Sequence, residues 1–310
     1  MIKNTPNNQE LPFIAAVFTS LLCIAFGANT VAIKISLSGL GPFTTAGIRF
    51  GIAAFTICLW GKITRRSFSI KNGQLHQLLI LSIFFIVEFF LLYHGLNKTN
   101  ASRGVLIINL QPFFILFLAH FFIPGDQITK KKIIGLSMGF TGMVLVFLGK
   151  KGVTTDVQIG DFMILTVAFL WACNMTYRKK IIHAFEPFHI VLYPMIFSIP
   201  IFFLAGFMWD DPMVSFMNTK IIISILYQSL ITASFGFIVW NYLLKKYSAV
   251  SLHSFIFIMP ISGVLLGGLI LKEPITINLL LALLLIASGI VIVNLKIRKF
   301  ASIFLRGIFR

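Results

Sequence analysis

Long apolar runs, each about the length of a membrane-crossing helix, follow one another along almost the whole chain, separated by short connectors rich in Gly, Pro, Lys and Arg. A bilayer core takes about 20 apolar residues in helical form. Lipid supplies no water for unpaired backbone groups, so runs of this kind read as continuous helices. The pattern predicts spans over residues 13–37, 43–60, 75–96, 101–122, 133–149, 159–177, 188–208, 221–243, 249–271 and 276–295. Connectors such as SLSGLGP and IPGDQIT end the helices by fixing φ or removing a backbone donor. The run from Phe13 is too long for a signal-peptide core and is read as a retained first helix.

Composition agrees with this reading. Of 310 residues, 58% are hydrophobic and 11% charged, against about 25% charged in an ordinary soluble domain. No stretch is long and polar enough for an appended soluble domain. Twenty-six Lys and Arg stand against nine Asp and Glu, a formal charge of +17. No zinc-finger spacing or RNA-binding aromatic motif accompanies that surplus, so nucleic acid is set aside as a partner. Membrane proteins collect basic residues in their cytoplasmic loops. With the N-terminus inside, eighteen Lys and Arg fall on that side and seven on the other, with Arg49 inside a span. The expected topology is a multi-pass protein of the cell (inner) membrane with both termini cytoplasmic. Residues 1–12 form a cytoplasmic N-terminal segment. Residues 296–310 form a basic cytoplasmic tail, read either as an amphipathic helix on the anionic leaflet or as a frayed end.

Compared with itself, the chain shows a duplication. At a shift of about 145 residues Asn29 meets Asn174, Lys34 meets Lys179 and Pro42 meets Pro187. At about 148, Lys98 meets Lys246, Ala101 meets Ala249 and Pro112 meets Pro260; at about 147, Thr129 meets Thr276 and Gly142 meets Gly289. The halves are 13–149 and 159–295, each of five predicted helices. An odd number forces the second half to enter the membrane with opposite polarity. The fold expected is therefore an all-α integral membrane protein of ten transmembrane helices, built as two inverted five-helix repeats. Inverted repeats create a site between the halves and can exchange inward-open and outward-open shapes, as secondary transporters do.

The segments FGANTVAIK at 26–34 and GPFTTAGIRFGIAA at 41–54 resemble the start of an EamA-type repeat of the drug/metabolite transporter superfamily. WACNMTYRKK at 171–180 and EPF at 186–188 repeat the pattern, and LKEPIT at 271–276, with PGDQIT at 124–129, resembles the family's turn before the last helix of each repeat. Phe26 stands where the family has Trp, Asp126 where it has Glu, and Pro194 where the second repeat would match Arg49. The resemblance, over about residues 13–295, implies a transporter of small metabolites, often an exporter of amino acids or similar compounds.

Polar groups inside the spans are the candidates for chemistry. A charge at mid-membrane costs at least about 2.5–3.5 kcal/mol on insertion scales, so Glu88, in FFIVEFFLL, is expected to face the bundle interior. At 1.5 Å per residue Glu88 lies about 12 Å and Arg49 about 9 Å below the same outer edge, with Lys34 shallower. Two readings follow. In one, Glu88 takes up a proton or binds a substrate ammonium while Arg49 or Lys34 meets a carboxylate. In the other, Glu88 and Arg49 form a static pair and Lys34 snorkels to the interface. Asn109, Gln111 and Pro112 cluster in LIINLQPFF; Pro112 and Pro260 remove a backbone bond in mid-span and mark kinks or hinges near a site. Asn29 and Asn174 are read as helix-packing glue or substrate contacts.

No Cys or His spacing suggests a metal, and no P-loop suggests ATP hydrolysis, so neither metal nor cofactor is expected. Adjacent Asp210 and Asp211 are isolated from other carboxylates. The sequence thus points to a secondary transporter, which the resemblance implies to be an exporter or exchanger of a small metabolite such as an amino acid, driven by a proton, a counter-substrate or the solute gradient. The alternatives are an importer of a metabolite or cofactor on the same scaffold, and an intramembrane lipid-modifying enzyme. The lipid bilayer and a small-molecule substrate are its expected partners, as a monomer or homodimer.

Overall fold

The computed structural model describes residues 11–71, 73–98, 107–147, 159–262, 265 and 277–294. Among these, every regular element is helical, apart from one isolated bridge between Leu40 and Val214. The helices are α1 (Phe13–Leu37), α2 (Pro42–Ile63), α3 (Gln74–Asn97), α4 (Gln111–Phe122), α5 (Lys130–Phe147), α6 (Ile159–Ile181), α7 (Pro187–Trp209), α8 (Thr219–Lys246), α9 (Ala249–Ser262) and α10 (Ile277–Asn294). Six of them contain stretches long and apolar enough to cross a membrane: α1, α2, α3, α6, α7 and α8. Shorter apolar helices lie in α4, α9 and α10. The basic tail, the LKEPIT segment at 271–276 and the cations Lys3, Arg103, Lys150, Lys151 and Lys272 lie outside the described residues.

Local chemistry sets the helix ends. Pro42 and Pro187 open α2 and α7, where a missing N–H leaves no bond unmade. Asn218 caps α8 by accepting the Ile221 N–H at 2.9 Å. Between the halves, α2 packs on α7, α3 on α6, α1 on α8, α4 on α9 and α5 on α10. The last of these pairs is tight. A Cβ added to Gly135 would sit 2.6 Å from the Gly289 carbonyl oxygen, so two backbones approach where larger side chains cannot fit.

Polarity is distributed as in a membrane protein. Large apolar side chains such as Phe55, Ile83, Phe117, Phe121, Leu204 and Phe207 are exposed, while Arg49, Glu88, Asn174, Arg178, Lys179, Gln228 and Thr232 are buried. Most buried apolar residues form one large cluster running through α1 and α3 to α10. A second, Phe-rich cluster is made mainly by α2, α3 and α7, with Phe50, Phe85, Phe188 and Phe202 among its members, and a small third one joins Leu40 to Ile221 and Ile225 of α8.

The two ends of the bundle differ. At one end the basic connectors meet: Arg66 pairs with Glu186 at 3.3 Å, Gln74 donates to the Ala184 carbonyl at 2.7 Å, and Lys245 donates to the Phe185 carbonyl at 2.9 Å. At the other, Gly41 donates to the Met213 carbonyl at 3.0 Å, tying the α1–α2 connector to the α7–α8 connector.

Three elements differ from the sequence expectation. The span read as 101–122 is interrupted within its described part: a turn at Asn109 and Leu110 precedes α4, which starts only at Gln111. Pro112 therefore occupies the first turn of a half-length helix rather than the interior of a long one, because its ring blocks the preceding turn from continuing. Ahead of Pro260, α9 tightens into a 3₁₀ turn at Phe255–Phe257. And α8 is no uniform helix: Tyr227–Gly236 widens into a π-helix. Its run QSLITASFG carries hydroxyls that bond their own backbone, with Thr232 donating to the Gln228 carbonyl at 2.6 Å and Ser234 to the Ser229 carbonyl at 2.7 Å. Such back-bonding competes with the regular ladder.

Candidate functional site

Two groups of buried polar residues lie at helix junctions. At the first, α3 meets α6. Glu88 is 2% exposed, and its carboxylate accepts both bonds of the Asn174 amide, at 2.9 and 3.1 Å. The Asn174 carbonyl in turn accepts from Arg178 Nε at 2.9 Å, one helical turn further along α6. One amide therefore bridges a carboxylate and a guanidinium. An asparagine suits that role because it has donors on one side and an acceptor on the other. Both charged groups also interact electrostatically.

At the second junction, α1, α2 and α8 meet. Thr232 Oγ1 stands 3.0 Å from Asn29 Oδ1 and 2.6 Å from the Gln228 carbonyl, and Arg49 Nη2 donates to Thr232 Oγ1 at 3.5 Å. The Arg49 guanidinium also lies 5.2 Å from the centre of the Phe50 ring. Thr232 belongs to the π-helical stretch of α8, the type of distortion that often marks functional positions.

The two junctions correspond. In each, an asparagine on the first helix of one half meets a polar side chain on the third helix of the other. One carries a carboxylate and the other a hydroxyl. Of the two readings, the static pair of Glu88 with Arg49 is not what the geometry shows: the carboxylate bonds Asn174 on α6, where α3 packs, and Arg49 bonds Thr232 on α8. Asn109 and Gln111 are both buried, at 5% exposure, at the broken start of α4, with Pro112 buried beside them. Pro260 is half-buried in α9. Lys34 lies on α1, and its side chain falls outside the described residues.

Sequence reasoning missed Arg178, Lys179 and Thr232. The first two were counted with the basic end of α6, although Arg178 stands four residues from Asn174, the spacing that brings side chains together on a helix. Lys179 is fully buried and donates to the Leu244 and Tyr247 carbonyls at 2.6 and 2.5 Å, closing the C-terminal end of α8. Nearby, buried Asp126 accepts from Lys132 at 2.6 Å, from Ser248 Oγ at 2.7 Å and from the Ala249 N–H at 3.0 Å, so it caps α9. Groups of three or more His, Cys, Asp or Glu able to hold a metal are absent among the described residues.

Outward apolar side chains around inward charges define a polytopic membrane protein whose buried polar groups lie where α3 meets α6 and where α1 and α2 meet α8. The EamA-like transporter family model matches residues 13–148 and again 158–295. The chain belongs to this family. It is 25% identical over 285 residues to a probable amino-acid metabolite efflux pump of Escherichia coli, covering 89% of this chain and 93% of the relative. It is 28% identical over 283 residues to an uncharacterized transporter of Archaeoglobus fulgidus, covering 90% and 98%. It is 23% identical over 270 residues to the uncharacterized transporter YoaV of Bacillus subtilis, covering 86% and 92%. A solved crystal structure has the same fold, with a TM-score of 0.81 at 16% identity, covering 93% of this chain and 99% of that one. The protein is accordingly a transporter embedded in a membrane, with a small-molecule substrate.

Proposed function

We propose that this protein is a secondary transporter that exports or exchanges an amino acid or related metabolite by alternating access between two inverted five-helix repeats. Glu88 is its proton-carrying group. The observation that carries this reading is the bridge Glu88–Asn174–Arg178, which crosses from one half to the other. Protonation removes an acceptor from the Asn174 amide, so the bridge is remade or released and the α3–α6 contact changes. A proton is thereby coupled to the relative position of the halves. An amino acid carries both charges that this junction holds, an ammonium for Glu88 and a carboxylate for Arg178.

The repeat finds support in the helix pairings: exchanging each helix for its counterpart five places on returns the same set of pairs. The breaks ahead of Pro112 and Pro260 occupy equivalent places, and interrupted helices in both halves are a pointer to a transport site. The substrate pathway is assigned to Asn29, Arg49, Glu88, Asn109, Gln111 and Asn174. We place the end carrying Arg66, Lys132 and Lys245 in the cytoplasm, with both termini, by the excess of basic residues there. Similarity to a probable amino-acid metabolite efflux pump favours export of such a compound.

Reconstituted vesicles test the reading. An imposed proton gradient is expected to drive accumulation of at least one amino acid from a panel. Chemical conversion of the panel compounds without net flux would overturn it.

A further inference from the structure

The bundle end opposite the basic connectors holds a cavity of about 380 Å³, within the size range of small-molecule sites. Its walls combine two chemistries. Asp210 and Asp211 supply carboxylates, and Phe43, His94 and Trp209 supply aromatic rings; no Lys or Arg among the described residues lines it. The Phe43 ring lies 6.1 Å from that of Trp209 and 6.2 Å from that of His94, centre to centre. The walls are tied together. Asp210 accepts the Thr44 N–H at 2.7 Å and the Phe43 N–H at 3.4 Å, so it both caps α2 and holds the start of that helix against the α7–α8 connector. The bridge of Leu40 to Val214 joins the same two segments. Asp211, by contrast, is exposed at the rim, and Trp209 keeps 52% of its surface open.

We propose that this cavity is a binding site for small organic ammonium ions, in which Asp211 and Asp210 meet the charge while the open Trp209 ring covers the hydrocarbon. Ring faces attract cations, indole most strongly, and two carboxylates of one sign repel anions. An inorganic divalent ion is a poor match. It requires a shell of oxygen ligands, whereas here one carboxylate is engaged by backbone N–H groups and the Trp209 ring beside it offers no oxygen. The site is separate from the Glu88 junction. Under the topology proposed above it faces outward, where it would hold an amine at the mouth of the pathway.

The test is equilibrium titration calorimetry on the full-length protein in lipid nanodiscs. The probe is tetramethylammonium, with tert-butanol as the neutral counterpart of similar size. Saturable binding of the cation is expected, with none of the alcohol. Asp211→Asn, at an exposed position that leaves the fold intact, and Trp209→Ala are each expected to weaken the cation by about 3- to 30-fold, the range spanned by cation–aromatic interactions. Equal binding of cation and alcohol, no saturable binding, or unchanged affinity in Asp211→Asn would overturn the proposal. Because the measurement involves no flux, each of those results leaves the transporter reading standing, and a failed flux assay leaves this one standing.

Discussion

Removing the bridging amide is a sharp perturbation of the α3–α6 junction. In Asn174→Ala the Glu88 carboxylate loses two N–H···O bonds, at 2.9 and 3.1 Å, and Arg178 loses its acceptor at 2.9 Å. Valued as charge-assisted bonds in a water-soluble protein, at about 1.5–3 kcal/mol each, three would total roughly 4.5–9 kcal/mol. Interhelical hydrogen bonds in membranes measure nearer 0.6 kcal/mol on average, with a maximum of about 1.7, because separated helices find other partners in the bilayer. The membrane scale is the relevant one, and with Arg178 free to approach Glu88 directly, the expected loss is about 2 kcal/mol. The assay is reversible unfolding in mixed detergent, run as a double-mutant cycle with Glu88→Ala, which removes the acceptor of the Asn174 amide. A coupling energy of about 1 kcal/mol or more is expected between the two positions. Stability within about 0.5 kcal/mol of wild type together with zero coupling would refute the bridge.

Other variants probe the rest of the account. Lys179→Met leaves the Leu244 and Tyr247 carbonyls without their donor in a buried site, at about 1–3 kcal/mol each, and should lower the unfolding midpoint more than Lys180→Met, whose ammonium lies over the Phe122 ring. Asp126→Ala removes the cap of α9 and the partner of Lys132; a loss of about 1–2 kcal/mol is expected in the same unfolding assay, with Asp126→Asn intermediate. In a variant whose three native cysteines are replaced, a cysteine at Lys71 is expected to resist a membrane-impermeant maleimide in intact cells. One at Ser215 is expected to react, and the reverse pattern would invert the proposed topology.

Much of the architecture was legible because the bilayer makes hydropathy nearly equivalent to helix position. The boundaries of α1, α3 and α7 lie within a few residues of the apolar runs that announced them. What the pattern concealed were departures from regular helix. The π-helical stretch of α8 depends on where Thr232 and Ser234 send their hydroxyls, and the turn at Asn109 depends on a proline two places into the next helix. Both runs are apolar enough to read as continuous. The candidate site was half visible. Glu88 and Asn174 stood out as polar groups in greasy segments, and the structure brings them together. Their pairing was not readable, since equal depth in the membrane says nothing about which helices are neighbours. Arg178 and Lys179 were hidden for a different reason. Residues near a basic helix end normally extend into water, and only the fold reveals that these two turn inward to a carbonyl and to backbone oxygens.

The central claim is that Glu88 carries the coupling proton, and the most direct measurement is proton movement itself. Purified wild-type protein and Glu88→Gln are reconstituted in vesicles with a pH-sensitive dye inside, and substrate is added on one side. The wild type is expected to move protons with substrate. Glu88→Gln, which keeps an oxygen for the Asn174 amide and so keeps the junction folded, is expected to move none while still exchanging labelled for unlabelled substrate. Substrate-dependent proton flux at the wild-type rate in Glu88→Gln would contradict the account.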